Sequence, residues 1–155
     1  MTQNKQSGFT LDQISFELGM INCFVEMVAC GVKRMAISPP IDPAHFGILQ
    51  ERSERIVQGF GIKSYLEKSL IVTDLQSDEF TRGKWAILYY KNDDVLKEYL
   101  KLKKQIEELE KSGKYKGTQR KDISRRFMRL LSYPDDVIEE KSDREKPVDP
   151  FILKD

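Results

Sequence analysis

Glu26 sits inside one of the most apolar stretches of the chain, "GMINCFVEMVACGVKRMAISPP", residues 19 to 40, where a carboxylate is a candidate acid or base. Wound as a helix at about 100° per residue, the run places Ile14, Leu18, Ile21, Val25 and Val28 on one face, widened by Phe16, Met20, Phe24 and Met27. One narrow seam remains, carrying Ser15, Gly19, Asn22, Glu26, Cys30 and Lys33. Burial raises a carboxyl's pKa into the range useful for acid–base work, which is the functional reading of Glu26 beside Asn22. The plainer alternative is a seam that meets water, or that pairs Glu26 with Lys33 or a neighbouring chain. Cys23 and Cys30 lie two helical turns apart, with backbones roughly 10 Å from each other and beyond disulfide reach. With no CxxC and a single histidine in the chain, buried thiols and no metal site are expected.

A second group of reactive types is "SPPIDPAH", residues 38 to 45. Ser38, Asp42 and His45 are the residue types of a hydrolytic triad, and a strand end feeding a helix start is a common anion site. The loop lacks the glycines of a phosphate cradle, the spacing matches no nucleophile elbow, and Asp42 is placed to cap the helix that follows. Glu26, Asp42 and His45 are therefore the catalytic candidates, with a pocket between the Glu26 seam and residues 38 to 45.

The steepest local charge lies in "KYKGTQRKDISRRFMR", residues 114 to 129, where Lys114, Lys116, Arg120, Lys121, Arg125, Arg126 and Arg129 face one acid, Asp122. On a helix that buries Ile123 and Phe127, Lys121, Arg125 and Arg129 recur every four residues on another face. Such a strip can hold phosphates of RNA or another polyanion, with a strongly salt-dependent affinity. Residues 135 to 145, with six acids against two bases, are a competing partner for it within the chain. No base-reading motif accompanies the strip.

The elements that must position these groups follow from caps and periodicity. Thr10 as N-cap, Gln13 closing a capping box and a Phe9–Ile14 staple start a helix at Leu11 that stops at Gly31. "KRMAIS" reads as a short strand ended by Pro39 and Pro40, and Asp42 with Pro43 opens a second helix that runs to about Gly59. "IKSYLE", "LIVTDL" and "KWAILYYK" read as three further strands in an antiparallel meander. Asn92 caps a third helix closed by Gly113, whose seam Leu96, Tyr99, Leu102, Ile106 and Leu109 is narrow enough to lie across the sheet or against a second subunit. A fourth helix over about Gln119 to Leu131 buries Ile123, Phe127, Leu130 and Leu131.

"RRFMRLLSYPDDVIEE", with "VEMVACGVKRMAIS" and "LIVTDL...GKWAILYYKNDDVLKEYL", resembles an archaeal family of proteins of unknown function that carries a helix followed by Leu-Leu-Gly-Tyr-Pro and then acidic and cysteine residues. Leu130, Leu131, Tyr133 and Pro134 match; Ser132 stands in the glycine position, and Asp135 to Val137 supply no cysteine. The resemblance implies an archaeal cytoplasmic protein and no particular activity.

The chain has 155 residues, 39% of them hydrophobic, enough for one domain with its own core. A net charge of +1 leaves no average field to favour a nucleic acid or a membrane, so electrostatic recognition has to be local. The polar start "MTQNKQSGFT" is no signal peptide, and Met20 to Val32 is shorter than the roughly 20 residues of a membrane span. The expectation is an α+β domain over residues 1–134, an about four-stranded, mainly antiparallel sheet packed with about four helices, followed by an acidic, Pro-containing tail over 135–155. Its expected role is a cytoplasmic binding module that meets RNA or an acidic protein surface through the basic helix, without a cofactor and without a membrane. A small-molecule or nucleotide-binding enzyme, and a homo-oligomer built on the helix at 93–112, are the alternatives.

Overall fold

The structure, a computed structural model, describes residues 12–149. Helix α1 (Gln13–Ala29) leads to strand β1 (Met35–Ile37), a 3-10 turn (Pro43–His45) and helix α2 (Phe46–Phe60). Strand β2 (Lys63–Glu67), the one-turn helix α3 (Asp78–Thr81) and strand β3 (Ala86–Tyr90) follow. Helices α4 (Asp93–Lys111), α5 (Gly117–Leu130) and α6 (Asp135–Asp143) complete it.

The sheet has the order β1-β3-β2, and both pairings are antiparallel. All five residues of β3 are buried, as the centre of a sheet covered on both faces requires. Side chains alternate across it. Leu88 and Tyr90 point to one layer with Tyr99, Leu102 and Ile106 of α4 and Ile123 and Phe127 of α5. Ile87 and Tyr89 point to the other, with Ile21 and Val25 of α1 and Leu49 and Val57 of α2. The register keeps partners on common faces: Met35 lies opposite Tyr90 and Ala36 opposite Tyr89, while Tyr65 lies opposite Leu88. The molecule is thus a helix–sheet–helix sandwich, α+β in class, with the apolar seam of α4 buried inside the chain. Among the described residues no helix is long and apolar enough to cross a membrane.

The sheet has three strands among the described residues where four are expected, and the missing one is "LIVTDL". Residues 70 to 73 are buried, as a strand would be, but side chains of the last helical layer satisfy the backbone there. Tyr115 Oη donates to the Val72 carbonyl at 2.5 Å, Ser124 Oγ accepts from the Asp74 amide at 2.9 Å, and Arg120 reaches the Thr73 carbonyl at 3.5 Å. A segment whose polar groups are met this way needs no ladder partner. The helix count rises from about four to six among the described residues, through the single turn α3 and through α6, which forms within the acidic segment and lies on α5.

Asp12 caps α1, its carboxylate accepting from the Ile14 and Ser15 amides at 3.3 and 3.1 Å. The Thr10 cap and Phe9 staple lie outside the described residues, as does the apolar end of the chain after Asp149. Asp42 caps the 3-10 turn that opens α2 by accepting from the Ala44 amide at 3.0 Å.

Candidate anion-binding site

Two helix ends converge beside the edge strand β1. At the end of α1 the Gly31 amide donates to the Val28 carbonyl and the Val32 amide to the Met27 carbonyl, the paired bonds of a Schellman turn, with Gly31 at φ +80°. At the end of α5 the Ser132 amide donates to Arg129 and the Tyr133 amide to Met128 in the same pattern, with Ser132 at φ +65°. The two turns are tied to each other. The Arg34 amide donates to Ser132 Oγ at 2.8 Å, and Lys33 Nζ donates to the carbonyl of Leu131, the residue that caps α5, at 2.7 Å.

This junction brings Lys33 and Tyr133 together, and α6, started by Pro134, adds Lys141 two turns on. Lys33 Nζ stands 5.4 Å and Lys141 Nζ 5.2 Å from the centre of the Tyr133 ring. The three line a pocket of about 80 Å³ whose remaining wall includes Phe24, Ile37, Leu75, Gln76 and Val148. None of the lining residues is acidic, and neither lysine takes part in an ion pair among the described residues. Burial holds the Lys33 amine below the ordinary lysine pKa and pushes the Tyr133 phenol above its own. On its other side Lys33 borders an open hollow with Arg34, Lys91, Asp93 and Asp94, but Lys63 takes Asp93 at 2.7 Å and Lys97 takes Asp94 at 3.4 Å. Among the described residues Lys33 and Lys141 therefore have no carboxylate partner inside this largely apolar wall, Lys33 being met by the Leu131 carbonyl alone.

The catalytic candidates do not assemble. Glu26 is exposed on α1 and has no ion pair among the described residues, since Lys33 turns away toward α5. Cys23 and Cys30 are exposed free thiols, not the buried ones expected, because α1 buries only Ile21, Val25 and Val28 fully and leaves Phe16 and Met27 in water. Ser38 is buried, with its hydroxyl donating to the Pro39 carbonyl at 3.0 Å and accepting from the Ile87 amide at 2.9 Å. Asp42 is spent on its cap and on Lys84, which together lower its carboxyl pKa, and His45 stands exposed at the end of the turn.

The basic strip is divided. Arg120 bridges Asp74 at 2.7 Å and Asp78 at 2.9 Å, Lys121 meets Asp143 at 3.2 Å, and Arg129 meets Asp135 at 3.2 Å. Arg126 donates to Gln105 at 2.9 Å and lies near Asp122, while the buried Arg125 Nε has no hydrogen-bond partner. Lys114 and Lys116 are exposed and outside any ion pair among the described residues.

Tyr133 and Lys141 have no place in the sequence-based candidate set. Tyr133 is visible only as part of a motif, and Lys141 only as a base among acids. Comparison with protein-family models, curated proteins and solved structures yields no match.

Proposed function

We propose that the chain is a binding module for a small anion with a short apolar part, held between Lys33 and Lys141 on Tyr133. The observation that carries this reading is a pocket lined by two lysines, the rings of Phe24 and Tyr133 and, among the described residues, no carboxylate. In a partly dehydrated wall an ammonium group without an anionic partner is costly, and a bound carboxylate or phosphate relieves the cost through charge-assisted hydrogen bonds. The pocket's volume of about 80 Å³ suits a ligand of a few heavy atoms. The setting we propose is cytoplasmic, where the exposed thiols of Cys23 and Cys30 stay reduced. Thermal denaturation with isobutyrate and with isobutyramide, its uncharged counterpart, tests the reading. The expected result is stabilisation by the acid, about 2.7 kcal/mol at a hundredfold excess over Kd, and none by the amide. Equal responses contradict it.

A second reading keeps the polyanion surface but moves it to the turn between α4 and α5, where Lys111, Lys114 and Lys116 are exposed and outside any ion pair among the described residues. RNA retention in gels at low salt that is lost on replacing these three by Glu supports it. Retention insensitive to them removes it.

A further inference from the structure

We infer that Lys33 is an imine-forming amine, and that the ligand of the pocket is a small aldehyde or ketone carrying an anionic group that Lys141 holds. This deepens the anion-binding reading and rests on it.

Four features distinguish Lys33 from the chain's other lysines. It is half-buried in an apolar wall, and burial favours its neutral, nucleophilic form. Its nitrogen is fixed, because one N–H donates to the Leu131 carbonyl at 2.7 Å and the Arg34–Ser132 bond ties the two adjoining turns. A second ammonium, Lys141, shares its aromatic neighbour Tyr133 and is available for a ligand's anionic group. Among the described residues no carboxylate of the pocket is available to hold the proton in place, and the acids beyond Lys33, Asp93 and Asp94, are taken by Lys63 and Lys97. Desolvation in an apolar wall is an arrangement that activates a lysine toward carbonyl carbon.

The step balances without a co-reactant. The Lys33 nitrogen lone pair attacks the carbonyl carbon, forming a C–N bond as the C=O π pair moves to oxygen. Two protons from nitrogen leave with that oxygen as water, and the C=N bond closes. The reverse reaction with water releases the carbonyl compound, so the imine serves as a reversible covalent hold.

The test uses glyoxylate, an aldehyde with a carboxylate, against propionaldehyde, an aldehyde without one, each with cyanoborohydride to fix imines as secondary amines. Adducts are mapped by mass spectrometry on the full chain and on Lys141→Gln. The expected result is glyoxylate labelling of Lys33 several-fold above the mean of the exposed lysines Lys101, Lys104 and Lys111, falling several-fold in Lys141→Gln while propionaldehyde labelling of Lys33 holds. Labelling of Lys33 no greater than that of the exposed lysines overturns the inference, as does glyoxylate labelling indifferent to Lys141→Gln. An isobutyrate titration followed by amide NMR separates the two levels of the argument. Shifts at Lys33 and Tyr133 without preferential labelling sink the imine and leave the anion pocket, whereas no shifts at either residue sink the pocket itself.

Discussion

Ser132 shows how much one residue decides near the site. It occupies the left-handed position of the α5 end, φ +65°, which Gly31, Gly61 and Gly113 fill at the ends of α1, α2 and α4. A side chain there costs on the order of 1 kcal/mol relative to glycine. Ser132 offsets that by accepting from the Arg34 amide, a bond that joins the helix end to the start of β1. Ser132→Ala keeps the strain and loses the bond, so it should destabilise by about 1 kcal/mol, while Ser132→Gly trades one for the other and should stay within about 0.5 kcal/mol of the parent. Urea denaturation orders the three, and an alanine variant as stable as the parent would show that the bond contributes nothing. The left-handed position at Ser132 is legible from the chain once Ser132 is seen to follow a helix. The hydrogen bond to Arg34, 98 positions away, is not legible there, because it depends on which helix ends meet.

Glu67 is the other residue whose role only packing reveals. At the end of β2 it is 2% exposed, accepting from Tyr99 Oη at 2.8 Å, Lys103 Nζ at 2.5 Å and the Ser69 amide at 2.8 Å. "IKSYLE" reads as a strand, but its terminal acid gives no sign of lying beneath a helix. Lys103→Met should cost about 3 kcal/mol by leaving that carboxylate short of its counter-charge, and Glu67→Gln added to it should recover part of the loss. Chemical denaturation of the single and double variants checks this; a double variant weaker than the single one argues against a buried charge as the cause.

At the scale of elements, the segment from Leu70 to Asp78 marks the boundary of what periodicity can tell. Its β-branched run reads as a strand, and it is buried like one, yet β3 is already flanked by β1 and β2. α5 and the turn before it hold the segment instead, through Tyr115 of the turn and Ser124 and above all Arg120 of the helix, which grips Asp74 and Asp78. Arg120 looks in the sequence like one more member of a phosphate-binding strip, because a count of charges says nothing about which acids the fold brings alongside. Arg120→Met should destabilise by about 2 kcal/mol near neutral pH. The Arg120 guanidinium holds the Asp78 carboxyl below its ordinary value of 3.8, so its contribution is complete above that value and fades as pH falls through the lower folded-state pKa. The stability gap between parent and Arg120→Met should therefore narrow in acid below about pH 3.8; a gap that widens there would contradict the assignment.

For the molecule as a whole, the class α+β, the central apolar strand and the long helix at 93–111 follow from pattern, since each is a local periodicity with its own caps. Strand order and the meeting of helix ends do not, because they are set by contacts between distant segments. The site belongs to the second kind. Lys33 comes from the end of α1, Tyr133 from the turn after α5, Lys141 from α6 and Val148 from the segment beyond it, and no spacing in the chain joins them. α6 also explains why the basic helix is less open than its composition suggests: Asp135 and Asp143 neutralise Arg129 and Lys121 at its two ends. The pair of lysines on Tyr133 also lacks a carboxylate partner among the described residues, and unlike the exposed lysines of the α4–α5 turn it lines a pocket.

Calorimetric titration of isobutyrate into the parent chain, Lys33→Met and Lys141→Met tests that claim most directly. The pocket predicts saturable binding at one site, weakened at least about tenfold by either substitution, equivalent to about 1.4 kcal/mol, and absent with isobutyramide. Binding that survives both substitutions, or that the amide reproduces, would contradict it.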